Sequence, residues 1–283
     1  MTDQAPAQGQ LLVVGTPIGN LGDLTPRAAD ALRTADLVVA EDTRMAARLL
    51  AHVGADTRTI SFNEHNAASR LPALLSRLAA GATVALTTDA GMPAVSDPGA
   101  LLVAAARDAG ASVQVVPGPA AVTAAMALAG VEAPGFVFGG FLPSRPASAR
   151  AGALASLLGA AGALRLPLIL YESPHRVAGL LSAVAGLAPE AHVAVGRELT
   201  KRHEQVVVGT PAEVMNQLGE RRGEFTLVLS RLPAPAGGDG QDLGALLKAG
   251  RKAGLPDRTL VELLRALGTS RRDAYRMVAA ARQ

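Results

Sequence analysis

Five short segments carry residue types that could bind a ligand or move a proton. Gly15-Thr16-Pro17-Ile18-Gly19-Asn20-Leu21-Gly22-Asp23 lies between an apolar run and a helix start. Glycine lets the backbone turn there and leaves amide donors exposed, so the segment is either a tight turn or a cradle for a polar or anionic group. It matches neither G-x-G-x-x-G nor a Walker loop. Residues 87–99 place Asp89, Asp97, Gly91, Gly99, Pro93 and Pro98 after another apolar run. Each aspartate could accept from an ammonium or hydroxyl, or cap a turn. Asp97, directly before Pro98 and a helix, suits the cap. The remaining three are Glu41-Asp42-Thr43-Arg44, Glu64-His65-Asn66 and Glu172-Ser173-Pro174-His175-Arg176, each following a strand-like stretch. Such clusters serve active sites and ordinary helix caps alike, and the sequence alone leaves both open.

The five histidines, His52, His65, His175, His192 and His203, have no H-E-x-x-H or other metal-ligand spacing, and G-x-S-x-G is absent. No metal is expected. The chain has no cysteine, which removes disulfides, Cys-ligated zinc, iron–sulfur clusters and thiolate nucleophiles.

The elements that must position these segments alternate. Strands are expected at 11–14, 37–40, 82–87 and 112–116, with helices at 25–34, 44–52 and 101–109 between them. Thr25-Pro26 supplies an N-cap and a first helical proline. This βαβ rhythm predicts a largely parallel sheet with helices on both faces. A second α/β unit follows, with strands at 136–141, 168–171, 192–197, 205–208 and 225–230 and helices at 120–129, 150–159, 176–185 and 211–218. Pro233 to Gly240 reads as a linker. Beyond it come three helices, 243–252, 256–267 and 271–282, the last opened by an S-x-x-D capping box at Ser270 and Asp273. The expected domains are 10–118, 119–232, a linker at 233–241, and a basic helix-turn-helix-like tail at 242–283.

Length, 283 residues, suits about two domains, and 49% hydrophobic residues suffice for a sizeable core. The net charge of +3 is unevenly placed. Residues 1–241 hold 18 Lys and Arg against 20 Asp and Glu, whereas 242–283 hold 9 against 4. A basic tail points to a polyanionic partner or to a solvated helical face. Seven aromatics and no Trp leave little for multi-base stacking. Met1-Thr2-Asp3-Gln4 starts no signal peptide, residues 119–131 are too short to span a bilayer, and Arg165 and Pro167 interrupt 152–171. A cytoplasmic protein without a membrane partner is expected.

Taken together, residues 16–28 with Glu41-Asp42-Thr43-Arg44, Asp89-Ala90-Gly91-Met92-Pro93, Ser96-Asp97-Pro98-Gly99, Val116-Pro117-Gly118-Pro119 and Arg197-Glu198-Leu199-Thr200-Lys201 closely resemble the ribosomal RNA small subunit methyltransferase I family, of the tetrapyrrole-methylase superfamily. The resemblance covers roughly residues 10 to 231, with motif order preserved. Residues 171–176 and 223–230 also look like the family. Ser173 stands where Ala or a similar small residue is expected, and Asn63 where His is more usual. The resemblance implies two α/β domains enclosing a cofactor cleft, a small C-terminal helical domain, and S-adenosylmethionine bent between the two larger domains. It implies 2′-O-methylation of a cytidine ribose in the decoding centre of 16S rRNA, within the small ribosomal subunit, by a homodimer. Motif matching puts the cofactor on Thr16, Pro17, Asp89, Gly91, Pro93, Ala120 and Ala121, with Phe141 and Thr226. Glu64, His65 and Glu172 are the candidates for a general base. Arg27, Arg44, Arg176, Lys201 and Arg202, with Arg271, Arg272 and Arg276 on the tail, are the expected RNA contacts. Two rivals are a tetrapyrrole methylase, whose first loop typically reads like G-x-G-P-G-D, and a ribosome-assembly protein that binds RNA without methyl transfer.

Overall fold

A computed structural model describes residues 9–95, 99–219, 222–233, 243–252 and 255–281. Ser96, Asp97 and Pro98 lie outside them, and with them the cap expected of Asp97. So does nearly all of the expected linker.

The first unit is a five-stranded parallel sheet in the order β3-β2-β4-β1-β5. Its strands are β1 (Gln10–Val14), β2 (Leu37–Ala40), β3 (Thr59–Ser61), β4 (Thr83–Leu86) and β5 (Ser112–Val116). Both faces of the central strands are buried, as their continuous apolar runs require. One face, with Leu12, Val14, Val38, Ala40 and Ala85, packs on α1 (Pro26–Thr34) and α2 (Thr43–Val53). The other, with Leu11, Leu37, Val39, Val84 and Leu86, packs on α3 (Ala67–Ala79) and α4 (Gly99–Asp108). The period of two in the strands therefore sorts the helices into two layers. Local chemistry sets the helix ends: Thr25 accepts from the Ala28 N–H, Asp42 from that of Arg44, and Gly54 closes α2 at φ +67°.

The second unit is a mixed sheet, β6-β7-β10-β8-β9, comprising β6 (Val137–Phe141), β7 (Leu168–Glu172), β8 (His192–Arg197), β9 (Gln205–Gly209) and β10 (Phe225–Ser230). Only β6 and β7 pair in parallel. The helices α6 (Ala147–Leu164), α7 (Val177–Leu187) and α8 (Pro211–Gln217) cover one face, and α5 (Ala121–Ala129) covers the other. By length and composition α6 is the one described helix that could cross a bilayer. It lies instead against the sheet through Leu154, Leu158 and Ala161, and carries Arg150. In the tail, α9 (Leu243–Lys252), α10 (Asp257–Ala266) and α11 (Arg271–Ala280) share a small core of Leu247, Leu260, Val261, Leu264, Ala274 and Val278.

Between residues 54 and 81 the sequence reading has only a strand-like stretch before Glu64 and no helix, and the structure corrects it there. β3 and the 13-residue α3 occupy the gap, with Pro72 inside the helix. Proline normally breaks a helix interior; here Leu74 and Leu78 are buried at helical spacing and hold α3 to the sheet.

Candidate active site

All five strands of the first sheet run parallel, so the loops leaving their carboxyl ends gather along one edge. The chain leaves β1 toward one face, through α1, and leaves neighbouring β4 toward the other, through α4. That divergence opens a crevice, the usual ligand position in such sheets. Thr16 and Gly91 bridge it. The Thr16 N–H donates to the Gly91 carbonyl at 2.9 Å and the Gly91 N–H to the Thr16 carbonyl at 3.2 Å. The Thr16 hydroxyl donates to the Thr88 carbonyl at 3.1 Å. Gly91 sits at φ +85°, a conformation that favours glycine. Pro93 is buried beside it. The loop after β5 closes in from the other side: a Cβ on Gly15 would stand 2.6 Å from the Gly118 nitrogen, so the two backbones touch.

An acidic group lines the same edge. The Asp42 N–H donates to Asp89 Oδ1 at 3.1 Å, and the Thr88 hydroxyl to Glu41 Oε2 at 3.2 Å. The hydrogen bond from the Arg44 side chain holds Asp42 down to about 2, helped by the Arg44 N–H. Asp89 moves the other way: burial raises its pKa, against the Asp42 N–H. A carboxylate already stripped of part of its water can take a ligand's donors at little further desolvation cost.

The second unit offers smaller and aromatic groups. Ala120 opens α5 with no side-chain cap, and the Val122 N–H donates to the Tyr171 phenol. Burial raises the Tyr171 pKa. Its ring is flanked by Phe138 at 5.1 Å and Phe141 at 5.4 Å between centroids, and Phe141 is 55% exposed. Thr226 is buried on β10, paired with Tyr171. Ile18 joins the units: it is buried among Val122, Ala125, Ile169, Leu199 and Val228. The loop after β1 is thus tied to the first unit by Thr16 and to the second by Ile18. A cavity of about 610 Å³ lies away from these loops, between the end of α5 and the His192–Ser230 end of the second sheet.

Three expected site residues take other roles. Glu172 is fully buried, and Arg150 at 2.9 Å, Arg176 at 2.8 Å and the Ser173 N–H at 2.8 Å occupy its two oxygens. With both oxygens already accepting from these donors, the carboxylate offers no free oxygen to a substrate hydroxyl. Arg176 is spent on that pair rather than left for RNA. The Lys201 ammonium sits 2.9 Å from both Glu198 and Glu224. Burial opposes its charge, the two carboxylates outweigh burial, and its pKa lies above the ordinary lysine value. Glu64 and His65 are exposed in the turn after β3, where Asn63 Oδ1 accepts from the His65 N–H at 3.2 Å. Arg27, Arg202, Arg271 and Arg272 are exposed. Arg44 and Arg276 are exposed too, though paired with Asp42 and Asp273. Among the described residues no cluster of His, Asp and Glu is placed to hold a metal.

Sequence reasoning did not name Ile18, Gly118 and Tyr171 as site residues, although each lies in a segment it singled out. Ile18 carried a signal, an apolar side chain in an otherwise polar and glycine-rich loop. Gly118 carried another, standing between Pro117 and Pro119.

Comparison with known proteins places these loops in context. The profile of the Tetrapyrrole (Corrin/Porphyrin) Methylases matches residues 10–215. A protein of Xylella fastidiosa strain Temecula1 named ribosomal RNA small subunit methyltransferase I is 43% identical over 226 residues, 78% of this chain and 81% of that protein. One of the same name from Thermotoga maritima is 38% identical over 224 residues, 78% of this chain and 98% of that protein. The crystal structure of uroporphyrin-III C-methyltransferase from Thermus thermophilus complexed with S-adenosyl homocysteine shares the fold, with a TM-score of 0.56 at 20% identity, covering 79% of this chain and 98% of that one.

Proposed function

The chain belongs to the tetrapyrrole (corrin/porphyrin) methylase family and, within it, to the ribosomal RNA small subunit methyltransferase I group, and from that premise we propose that it uses S-adenosylmethionine to methylate the 2′-hydroxyl of a cytidine ribose in the decoding centre of 16S rRNA. The observation that carries this reading is the Thr16–Gly91 bridge. It brings together two of the segments that carry the family resemblance, at the crevice where a ligand is expected.

Thr16, Pro17, Asp89, Gly91 and Pro93 would hold the donor from the first unit, and Ala120, Ala121, Phe141 and Thr226 from the second. The residues fit it. Gly91, Ala120 and Ala121 leave room, and Ala120 caps α5 with no side chain of its own, the Val122 N–H being taken by the Tyr171 phenol. Asp89 offers a carboxylate to a cationic ligand, and Phe141 an exposed ring face. When bound, S-adenosylmethionine supplies a methyl group already activated by a positive sulfur.

The chain's own contribution is then chiefly positioning, worth at most about 7–11 kcal/mol. A general base would add roughly 10²–10⁴ in rate. With Glu172 spent on its arginines, Glu64 and His65 remain the candidates. Their loop follows the edge strand β3, three strands from β1, or about 14 Å across the sheet. Arg27, Arg44, Arg202, Arg271, Arg272 and Arg276 are left to contact phosphates, which position RNA without reading its sequence. Selection of one cytidine then comes from the folded RNA around it, which makes the assembled small subunit in the cytoplasm the substrate.

The test is methyl-labelled donor offered with unmodified small subunits, naked 16S rRNA or a porphyrinoid precursor. Label on one ribose 2′-oxygen is expected; label in the precursor alone overturns the reading. Absence of heat on calorimetric titration with the donor would favour a non-enzymatic RNA-binding protein. The working unit is a homodimer, and a monomer by light scattering at micromolar concentration would refute that part.

A further inference from the structure

Lys201 invites the role of a phosphate contact by its charge, yet its surroundings give it another. Its aliphatic stem lies flat on Gly19. A Cβ on that glycine would stand 2.4 Å from Lys201 Cγ and 2.8 Å from Cε. Its ammonium is fixed at 2.9 Å to Glu198 Oε1 and at 2.9 Å to Glu224 Oε2. Glu198 is itself built in. Its Oε1 accepts the Glu224 N–H at 3.0 Å, its own N–H donates to the Glu224 carbonyl at 3.0 Å, and its carboxyl group fills the space a Cβ on Gly223 would need.

The backbone is bent to present this arrangement. Glu198 at φ +50° and Thr200 at φ +65° are both non-glycine residues in the left-handed region. Such residues persist only where the surroundings over-determine them, and they gather at functional sites. Between them Leu199 is buried against the same apolar cluster as Ile18. Ile18 and Gly19 of the first unit's loop are thus gripped by Leu199 and Lys201 of the second unit's turn. One contact is apolar and non-directional. The other is a lysine stem held taut at its far end.

We propose that Lys201 is a positioning residue: anchored by Glu198 and Glu224, it presses on Gly19 and fixes the loop carrying Thr16 and Pro17 in the shape that receives the methyl donor. The proposal rests on the functional reading above, in that this loop is taken to hold S-adenosylmethionine. It explains why position 19 is glycine although its backbone does not adopt a positive φ. The lysine stem needs the space. It also removes Lys201 from the set of RNA contacts.

The test is a double-mutant cycle in the full-length protein, with Gly19→Ala, Lys201→Ala and the pair together. Affinity for S-adenosylmethionine is read by calorimetric titration and stability by thermal melting. Each single variant is expected to weaken donor binding about tenfold, within the range for residues in direct contact. The pair should be no weaker than either single variant, because the three atoms nearest a methyl group at position 19 all belong to the stem that Lys201→Ala removes. Lys201→Met keeps most of the stem but takes the ammonium away from Glu198 and Glu224, and should fall between the parent and Lys201→Ala. Small-subunit binding should keep its salt dependence in every variant. Effects that multiply in the pair would overturn the proposal. So would unchanged donor affinity in Lys201→Ala, or a salt slope reduced by about 0.7–0.9, the mark of a lost phosphate contact. If the parent binds no donor, the functional reading fails. The clasp is then still judged by the melting temperatures, where non-additivity supports it and additivity sinks it.

Discussion

Glu172 at the end of β7 and Arg150 in the first turns of α6 form a 2.9 Å ion pair in which the carboxylate has no exposed surface. The same guanidinium donates to the Arg176 carbonyl at 3.2 Å, and Arg176 returns to the other carboxylate oxygen. One buried charge thereby gathers a strand end, a helix and the turn that starts α7. The polar run 172–176, which reads as chemistry in the sequence, is a joint.

Glu172→Gln should therefore destabilise rather than slow the enzyme. Breaking a buried pair costs about 3–5 kcal/mol when the orphaned charge stays dry. Arg150 and Arg176 keep 22% and 25% of their side-chain surface, so water can reach them, and a loss nearer 2–3 kcal/mol is expected. Thermal melting checks it, together with the methyl-transfer rate well below the transition. A rate lower by roughly 10²–10⁴ with an unchanged melt would return Glu172 to the role of base.

Asp89 should trade stability for binding. Burial raises its folded pKa above the 3.8 of the free side chain, so the folded state holds its proton to higher pH than the unfolded chain does. Stability from this group is therefore present at low pH and lost as pH rises through the raised value. Asp89→Asn still offers Asp42 an oxygen but has no proton to lose. Its melting temperature should gain on the parent as pH rises from about 3 and level off once the parent's Asp89 is ionised. At neutral pH it should bind S-adenosylmethionine more weakly. Asp42 runs opposite: its stabilisation is lost as pH falls from the ordinary carboxylate range toward about 2, and because parent and variant both carry it, that change cancels in the comparison.

What the sequence made legible follows from how local each signal is. Thr25-Pro26 and the run from Leu11 to Val14 declare a helix start and a buried strand within a few residues, and both stand where expected. The family resemblance rests on such segments too. Partnership across the fold is not local. Nothing near Glu172 in the chain points to Arg150, which lies 22 residues earlier, and nothing near Lys201 points to Gly19. A charged side chain reads alike whether it faces RNA or a carboxylate. That is why the sequence alone points Arg176 and Lys201 toward RNA. Helix α3 was lost for another reason: Pro72 is a breaker by local rule, and only Leu74 and Leu78 on the sheet override it.

Gly118→Ala should cripple donor binding while sparing the sheet. The added methyl would stand 2.8 Å from Gly15 backbone atoms, which cannot swing aside as a side chain would. The loop after β5 must then retreat from the loop after β1, carrying Ala120 and Ala121 away from Thr16. A loss of at least about tenfold in affinity for S-adenosylmethionine is expected, in line with what a misplacement near 1 Å costs in an ordered site. Far-ultraviolet circular dichroism should remain that of the parent. Unchanged affinity would show that the Gly15–Gly118 contact serves packing alone.

The tail should contribute RNA affinity and nothing to donor binding. Residues 242–283 hold 9 basic against 4 acidic side chains, whereas the rest of the chain is slightly acidic. Arg271 and Arg272 stand exposed in the first turn of α11, the positive end of the helix dipole. Cations there cost roughly 0.3–1 kcal/mol each at low salt, a placement that helix stability alone would disfavour. Arg251 differs, since it donates to the Val278 carbonyl at 2.8 Å and pairs with Asp257, holding the helices together. Truncation after Leu232 should weaken small-subunit binding and flatten its salt dependence by about 0.7–0.9 in log–log slope per lost contact. Arg271→Ala with Arg272→Ala should remove part of that slope without truncation. Affinity for S-adenosylmethionine should stay the same in both, because every residue matched to the cofactor cleft precedes Leu232. Binding is measured at two salt concentrations. An unchanged slope in the truncated protein would leave the tail a solvated helical bundle and take it out of the RNA site.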